Sequence, residues 1–360
     1  MPAARMTSLL LCLGALLAGC SGTTPEAMLD NYSERVARVL EEPIEAGLGA
    51  TADIPLFPPR RERLLALTDL RQGPIEVLAL RHCDLLGLIA QRNSSLGKVM
   101  RPSGQLVYEL RLLHQVRDCL SRLSQDPDAD PQLKLQLAEI EQIKTRELPA
   151  VLWNAVYASS EMEANFSRGD PALPLRGKDD ETADSDEAAL RSLQALANIQ
   201  TLTSTPDWAL PADLDGLEQH YQVLNANRFG SQWLKSLWLL TGTLEHTAQA
   251  LERREQRGSI CPQQRPTPRA RILLNVFRLY YAGEVQPYLA RVHRSGERWK
   301  ALHEQLLSQL PATPGMREYQ WQVFATANPD SLWQRYSQAR DRHTRSWQAT
   351  LRNCQLMPGS

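Results

Sequence analysis

Gly230 to Arg257 reads GSQWLKSLWLLTGTLEHTAQALERREQR. Within it Trp233, Leu237, Leu240, Leu244, Ala248 and Leu251 recur every three or four residues. That spacing puts apolar side chains on one face of an α-helix, whereas a strand would alternate every second residue. Arg253, Arg254 and Arg257 crowd the end and Gly258 follows, a basic last turn with a glycine stop. A helix with one apolar stripe must bury it against other helices, so this stretch decides for an all-α fold.

The same signals recur on both sides. Downstream, Thr267-Pro268 opens a helix as N-cap and first residue, and Pro287 is predicted to break the 269–310 stretch in two. Asn328-Pro329-Asp330 opens the last helix, whose stripe is Leu332, Tyr336, Ala339, His343, Trp347, Leu351 and Cys354. Upstream, helices are predicted over 187–203 and 211–226. Asp130-Pro131 starts a long helix with Leu133, Leu137, Ile140 and Ile143 on one stripe, and Pro149 is predicted to kink or split it before 151–166. Ser103 is the expected N-cap of a helix ending near Leu123. Earlier helices are predicted over 74–92, 60–71 and 25–42, the first carrying Leu29, Tyr32, Val36 and Val39.

Residues 168–188 differ. Gly169, Pro171, Pro174 and Gly177 interrupt them, and Asp179, Asp180, Glu181, Asp184, Asp186 and Glu187 form an acidic string. This composition predicts a mobile surface loop. The expected architecture is an all-α bundle of ten to twelve helices in two packed halves, 26–167 and 189–360, joined by that loop.

The N-terminus carries an address. Behind Arg5 the apolar run Leu9–Leu17 is too short to span a bilayer and ends in small residues, as a secretory signal does over 1–19. Leu17-Ala18-Gly19-Cys20 reads as a lipobox with Cys20 as the lipidation site and residues 20–25 as a tether. Several acyl chains on one residue make a stable anchor. Ser21, where Asp would favour inner-membrane retention, points to the outer membrane. The expectation is a protein anchored in the outer membrane by lipid on Cys20, with its domain in the periplasm. A plain signal peptide that happens to end near a cysteine is the alternative.

Cysteine usage agrees with export. Cys12 leaves with the signal, and Cys83, Cys119, Cys261 and Cys354 remain. An even number in an oxidising compartment predicts two disulfides, with three possible pairings. Cys83–Cys119 and Cys261–Cys354 are favoured because each staples one half. If helices 74–92 and 103–123 form a hairpin, the first pair misses register by roughly 10 Å at 1.5 Å per residue. A zinc site lacks C-x-x-C spacing.

Charge is uneven. Residues 161–220 hold thirteen acids against four bases, and 250–360 hold seventeen bases against eight acids. The arginine bias fits either codon composition or a surface for anionic lipid or glycan. No nucleic-acid partner is indicated.

Two segments carry a resemblance. One is Leu96-Gly97-Lys98-Val99-Met100 leading into Pro102, Ser103, Leu106, Tyr108 and Glu109. The other is Cys261-Pro262, then Arg265-Pro266-Thr267-Pro268-Arg269, Asn275-Val276-Phe277 and Gln286-Pro287-Tyr288-Leu289-Ala290. With the lipobox and the length, the chain resembles the bacterial lipoproteins grouped as domain of unknown function 3080. The resemblance implies a helical, exported, membrane-anchored protein and supplies no catalytic residues.

Catalytic patterns do not emerge. His303-Glu304 is not followed by a second His at metalloprotease spacing, and no G-x-S-x-G, P-loop or G-x-G-x-x-G occurs. Glu161 and Glu163 lack the motif that would make one of them a general acid. Neither a cofactor nor a metal is expected. The eight Trp lie mostly at core-like positions, with sugar stacking as the alternative. His343 reads as a core residue on its apolar stripe. The segment chosen as a binding site is Lys98, Arg101, Ser103, Tyr108 and Glu109, where a helix N-terminus beside cations suits an anion. The leading function is a non-enzymatic envelope protein that binds another protein or the cell wall. A small-ligand or glycan-binding module is the alternative, and an envelope hydrolase the third reading.

Overall fold

The Trp233–Leu251 stripe is buried along its whole length, and so is the Leu332–Cys354 stripe. The two helices that carry them form the most extensive helix pair of the fold. In the computed structural model, residues 24–44, 53–68, 83–176 and 183–357 are described. Among them there is no strand, and twelve α-helices exceed a single turn. They are α1 (Pro25–Leu40), α2 (Leu86–Asn93), α3 (Pro102–Gln125), α4 (Pro131–Tyr157), α5 (Ser160–Asn165) and α6 (Ala183–Thr203). Then come α7 (Leu217–Asn227), α8 (Phe229–Arg257), α9 (Pro268–Val276), α10 (Gln286–Gln309), α11 (Pro314–Val323) and α12 (Leu332–Asn353). The fold is the expected all-α bundle, and no described helix is long and apolar enough to cross a membrane.

The large core draws on both sides of residues 168–188. Met28, Leu29, Tyr32, Val36 and Leu40 of α1 pack with α8 and α9, while Leu106, Leu110, Trp153 and Tyr157 of α3 and α4 belong to the same apolar cluster. Both predicted stretches, 26–167 and 189–360, thus contribute to one apolar cluster. A second, small core holds Cys83, Leu85, Tyr108, Leu112, Val116, Cys119, Leu133, Leu137 and Ile140 at the far end of the α3–α4 hairpin. Each fully buried Leu or Trp contributes on the order of 1.5–3 kcal/mol. Gly296 of α10 permits the closest approach in the large core: the Trp233 indole fills the space of its missing Cβ and donates to the Val292 carbonyl at 3.2 Å.

Neither proline splits its helical stretch. α4 runs through Pro149, because Leu148, Val151, Leu152 and Trp153 are all buried, and that burial offsets the roughly 3 kcal/mol cost of an interior proline. The break comes at Ala158, where Ser159 caps α5 by accepting from the Met162 N–H at 3.3 Å. Pro287 sits in the first turn of α10, immediately after a π-helical stretch, Phe277–Val285, that joins α9 to α10 without interruption. A proline in a first turn needs no acceptor for its missing N–H.

The 60–71 helix shrinks to Arg60–Arg63. The chain beyond it is extended, and Asn154 of α4 holds Leu65 like a strand partner, accepting its N–H and donating to its carbonyl, both at 2.8 Å. Arg63 is fully buried: its guanidinium lies over Phe57, donates to the Tyr157 carbonyl and pairs with Glu163. Of the 74–92 helix, residues 74–82 fall outside the described residues, and Cys83 sits in a turn ahead of α2. This removes the register mismatch: Cys83 is bonded to Cys119 with Cα atoms 5.3 Å apart. Cys261 is bonded to Cys354 at 5.2 Å.

The acidic loop is a correction. Residues 177–182 are outside the described residues, but Ala172 and Leu173 are buried and the Leu173 N–H donates to Ser236 Oγ at 2.9 Å. Helix α6 begins at Ala183, and Asp186 is buried against Arg291 of α10, with bonds of 2.7 and 3.0 Å. Arg176 reaches the same carboxylate at 3.0 Å, and Glu187 pairs with Arg298. Of the acids that suggested a solvated string, Asp186 and Glu187 are thus counterions for the basic α10, and Asp179, Asp180 and Glu181 lie outside the described residues.

Candidate binding cleft

The residues picked from sequence do not converge on an open site. Arg101 is exposed, 3.9 Å from Glu218 of α7, and Lys98 is exposed. Ser103 is buried and donates to Glu218 at 2.9 Å. The anion expected at the start of α3 is therefore supplied by the chain itself. Tyr108 points into the small core, where burial and then neighbouring Glu109 push its phenol up to about 12. Glu109 is buried and paired with Lys144 at 3.0 Å. Cys20 lies outside the described residues. Asp170, in the acidic 168–188 stretch, is held by Arg228 and Ser231.

A cleft of about 650 Å³ opens elsewhere, where the second half of α3, the middle of α4, the end of α6 and the end of α10 meet. Arg117 organises it. Its Nε donates to Glu141 at 2.9 Å, its two terminal nitrogens to Thr145 and to the Pro206 carbonyl at 3.0 Å each, and its guanidinium stands over the Trp208 ring. One side chain thereby ties α3, α4 and the turn after α6. Thr145 Oγ1 also donates to Glu141 at 2.8 Å.

The walls are of two kinds. Leu120, Leu148, Leu152, Trp208 and Leu310 supply apolar surface. Thr203, Ser204 and Thr205 also line it; their hydroxyls donate to carbonyls of the last turns of α6, which leaves the oxygens of Thr203 and Thr205 as acceptors, while Ser204 Oγ already accepts from Gln200 Nε2 at 3.0 Å. Pro149 adds one more acceptor. Lacking an N–H, it leaves the Thr145 carbonyl without its helical donor, and both residues line the cleft. The end of a helix also carries partial negative charge. Of the lining carboxylates, Glu141 is engaged by Arg117 and Thr145, and Asp207 is exposed.

Buried histidines lie apart from it. His343 Nε2 faces the Tyr32 hydroxyl at 2.7 Å and the Trp347 N–H at 3.1 Å, and His303 Nδ1 faces Tyr157 at 3.0 Å. Burial lowers both imidazoles to about 3, so they are neutral core groups. Seven of the eight Trp are buried, Trp321 being the exposed one. Among the described residues no group of three His, Cys, Asp or Glu could hold a metal ion.

Sequence reasoning missed the cleft because its residues come from positions 117, 141–152, 200–208 and 309–310, each unremarkable on its own helix. Pro149 was the one local signal. No curated protein and no solved structure matches the chain. A family model described as "Protein of unknown function (DUF3080)" matches residues 29–358, and the chain belongs to that family.

Proposed function

We propose that the protein is a lipid-anchored, non-enzymatic binding protein of the cell envelope whose cleft takes a small, neutral, hydroxyl-rich ligand of the saccharide class. The observation that carries this reading is the pairing of one apolar wall, including Trp208, with a row of acceptor oxygens from Thr145, Thr203 and Thr205. A sugar offers an apolar C–H face and donor hydroxyls, which suits both walls. The lipobox at Leu17–Cys20 supports an anchor in the outer membrane with the domain in the periplasm, facing cell-wall saccharides.

Calorimetric titration of the full chain with N,N'-diacetylchitobiose, a neutral disaccharide of N-acetylglucosamine, tests the cleft. Saturable binding is expected, and Ser204→Phe, at an exposed position on the rim, should weaken it at least tenfold. Absence of binding at millimolar saccharide, or equal binding by the variant, refutes the assignment. Labelling with an alkyne fatty acid tests the anchor, with Cys20→Ala expected to take up no label.

A scaffold for a protein partner is the second reading. Leu96 and Val99 favour it, exposed at 80 % and 77 % beside Lys98.

A further inference from the structure

The helical rod made by α9 and the π stretch has two unlike faces. Ala270, Leu273, Leu274, Val276, Tyr281 and Val285 are buried. Opposite them Arg271, Ile272, Arg278 and Leu279 are exposed, Ile272 at 54 % and Leu279 at 62 %. Each Arg-apolar pair recurs after seven residues, across the junction from α9 into the π stretch, so both pairs lie on the exposed side of the rod, roughly 10 Å apart along it. Among the described residues neither Arg271 nor Arg278 has an acidic partner. From 265 to 285 the chain holds Arg265, Arg269, Arg271 and Arg278 against Glu284 alone, and Arg269 is taken by Glu41.

The path of α1 relates this face to the N-terminus. Glu41 meets Arg269 at 2.6 Å, Arg35 lies over Tyr280 and Tyr32 approaches Tyr281 at 5.8 Å, so α1 runs antiparallel to the rod. Pro25 therefore lies toward the Val285 end. Cys20 precedes Pro25 by five residues, a reach of at most about 18 Å at ~3.5 Å per residue. Leu279 is six residues from Val285, less than roughly 9 Å along the rod, since a π-helix rises less per residue than the 1.5 Å of an α-helix. The outer face of α1 is also within reach, and it carries Asp30 and Glu34, both exposed, with Glu26 beside them. An anionic bilayer repels that face and attracts the arginines.

We propose that the face formed by Arg271, Ile272, Arg278 and Leu279 lies on an anionic phospholipid bilayer, with the two apolar side chains at the acyl boundary and the two guanidiniums on phosphates. This is the pattern of an interfacial amphipathic helix with its charged ends turned up to the headgroups. It rests on the lipid-anchor reading and adds an orientation to it, because a second attachment fixes which side of the protein faces the periplasm.

The test uses full-length protein in vesicles of phosphatidylethanolamine and phosphatidylglycerol, seven to three, after mass spectrometry of Cys20. A nitroxide on Leu279→Cys is compared with one on Leu135→Cys, an exposed apolar position on α4. Oxygen accessibility at 279 should rise several-fold over that of a water-soluble nickel chelate, while position 135 keeps the profile of water. Arg271→Glu with Arg278→Glu should return the 279 label to the aqueous profile although Cys20 stays acylated. An aqueous profile at 279 in the parent protein, or no response to the charge reversal, overturns the docking face and leaves the anchor standing. A Cys20 without acyl chains overturns both.

Discussion

Lowering the pH from 7 to 5 should destabilise this protein by an amount set by His303 and His343. Both side chains are fully buried, and burial holds both near 3, against about 6.5 for a free imidazole. The local bonding explains part of this. The Trp347 N–H donates to the Tyr32 oxygen at 2.8 Å and to His343 Nε2 at 3.1 Å, which leaves the Tyr32 hydroxyl to donate to Nε2 at 2.7 Å, so Nε2 accepts and protonating it would set donors against one another. The unfolded chain takes up a proton on each imidazole below about pH 6.5 and the folded chain does not, so stability falls as pH falls through that value and continues to fall toward 3. The slope is about 1.4 kcal/mol per pH unit per histidine, giving about 2 kcal/mol each at pH 5 and about 4 together. That is a large part of the 5–15 kcal/mol typical of a folded domain. His293, half-buried and also lowered, adds in the same direction. The lowered carboxyls of Glu41, Glu187 and Glu252 act at lower pH, because in this window they are ionised in both states. Urea unfolding at pH 7 and pH 5 measures the loss. Proton NMR of the seven His should show two rings that do not titrate between pH 7 and 4. Equal stability at the two pH values, or seven rings all titrating near 6.5, would refute the reasoning.

Asp186→Ala should cost about 3–5 kcal/mol in urea unfolding, because it strands the buried Arg291 guanidinium, whereas Glu187→Ala, which frees the exposed Arg298, should cost less than about 1 kcal/mol. Gly296→Ala should lower the melting temperature by an amount equivalent to about 1–3 kcal/mol or more, since its Cβ would overlap the Trp233 indole. A neutral alanine there would mean that α8 and α10 are not packed at that point. Non-reducing peptide mapping should recover Cys261–Cys354, and Cys354→Ser should cost about 2–5 kcal/mol by removing a crosslink across 93 residues; free thiols at both positions in the native protein would exclude it.

Helix identity was legible wherever one helix carried its own apolar stripe. The boundaries of α8, the start of α9 and the stripe of α12 follow from local spacing and caps, since the 3.6-residue period and an N-cap are properties of the chain within a few turns. The disulfide partner of Cys354 was legible for a related reason: a cysteine ending a buried stripe faces the body, and Cys261 is the loop cysteine beside the start of the next helix. Proline misled the reading twice, at Pro149 and Pro287, because its cost is local while the burial that outweighs it comes from distant helices.

The composition of a stretch fixes charge and hydrophobic pattern, and with them the all-α class, the helix faces and the cysteine count. Which charges meet is decided by the packing of helices far apart in sequence. Asp186 looks like part of a solvated string until α10 brings Arg291 against it. Ser103 and Arg101 look like an anion site until α7 brings Glu218 there. The cleft around Arg117 exists only because four helices end or cross at one place, and no residue in it carries that information alone. Short-range geometry is written in neighbouring residues, whereas pairing and cavities depend on long-range contacts that a linear pattern does not encode.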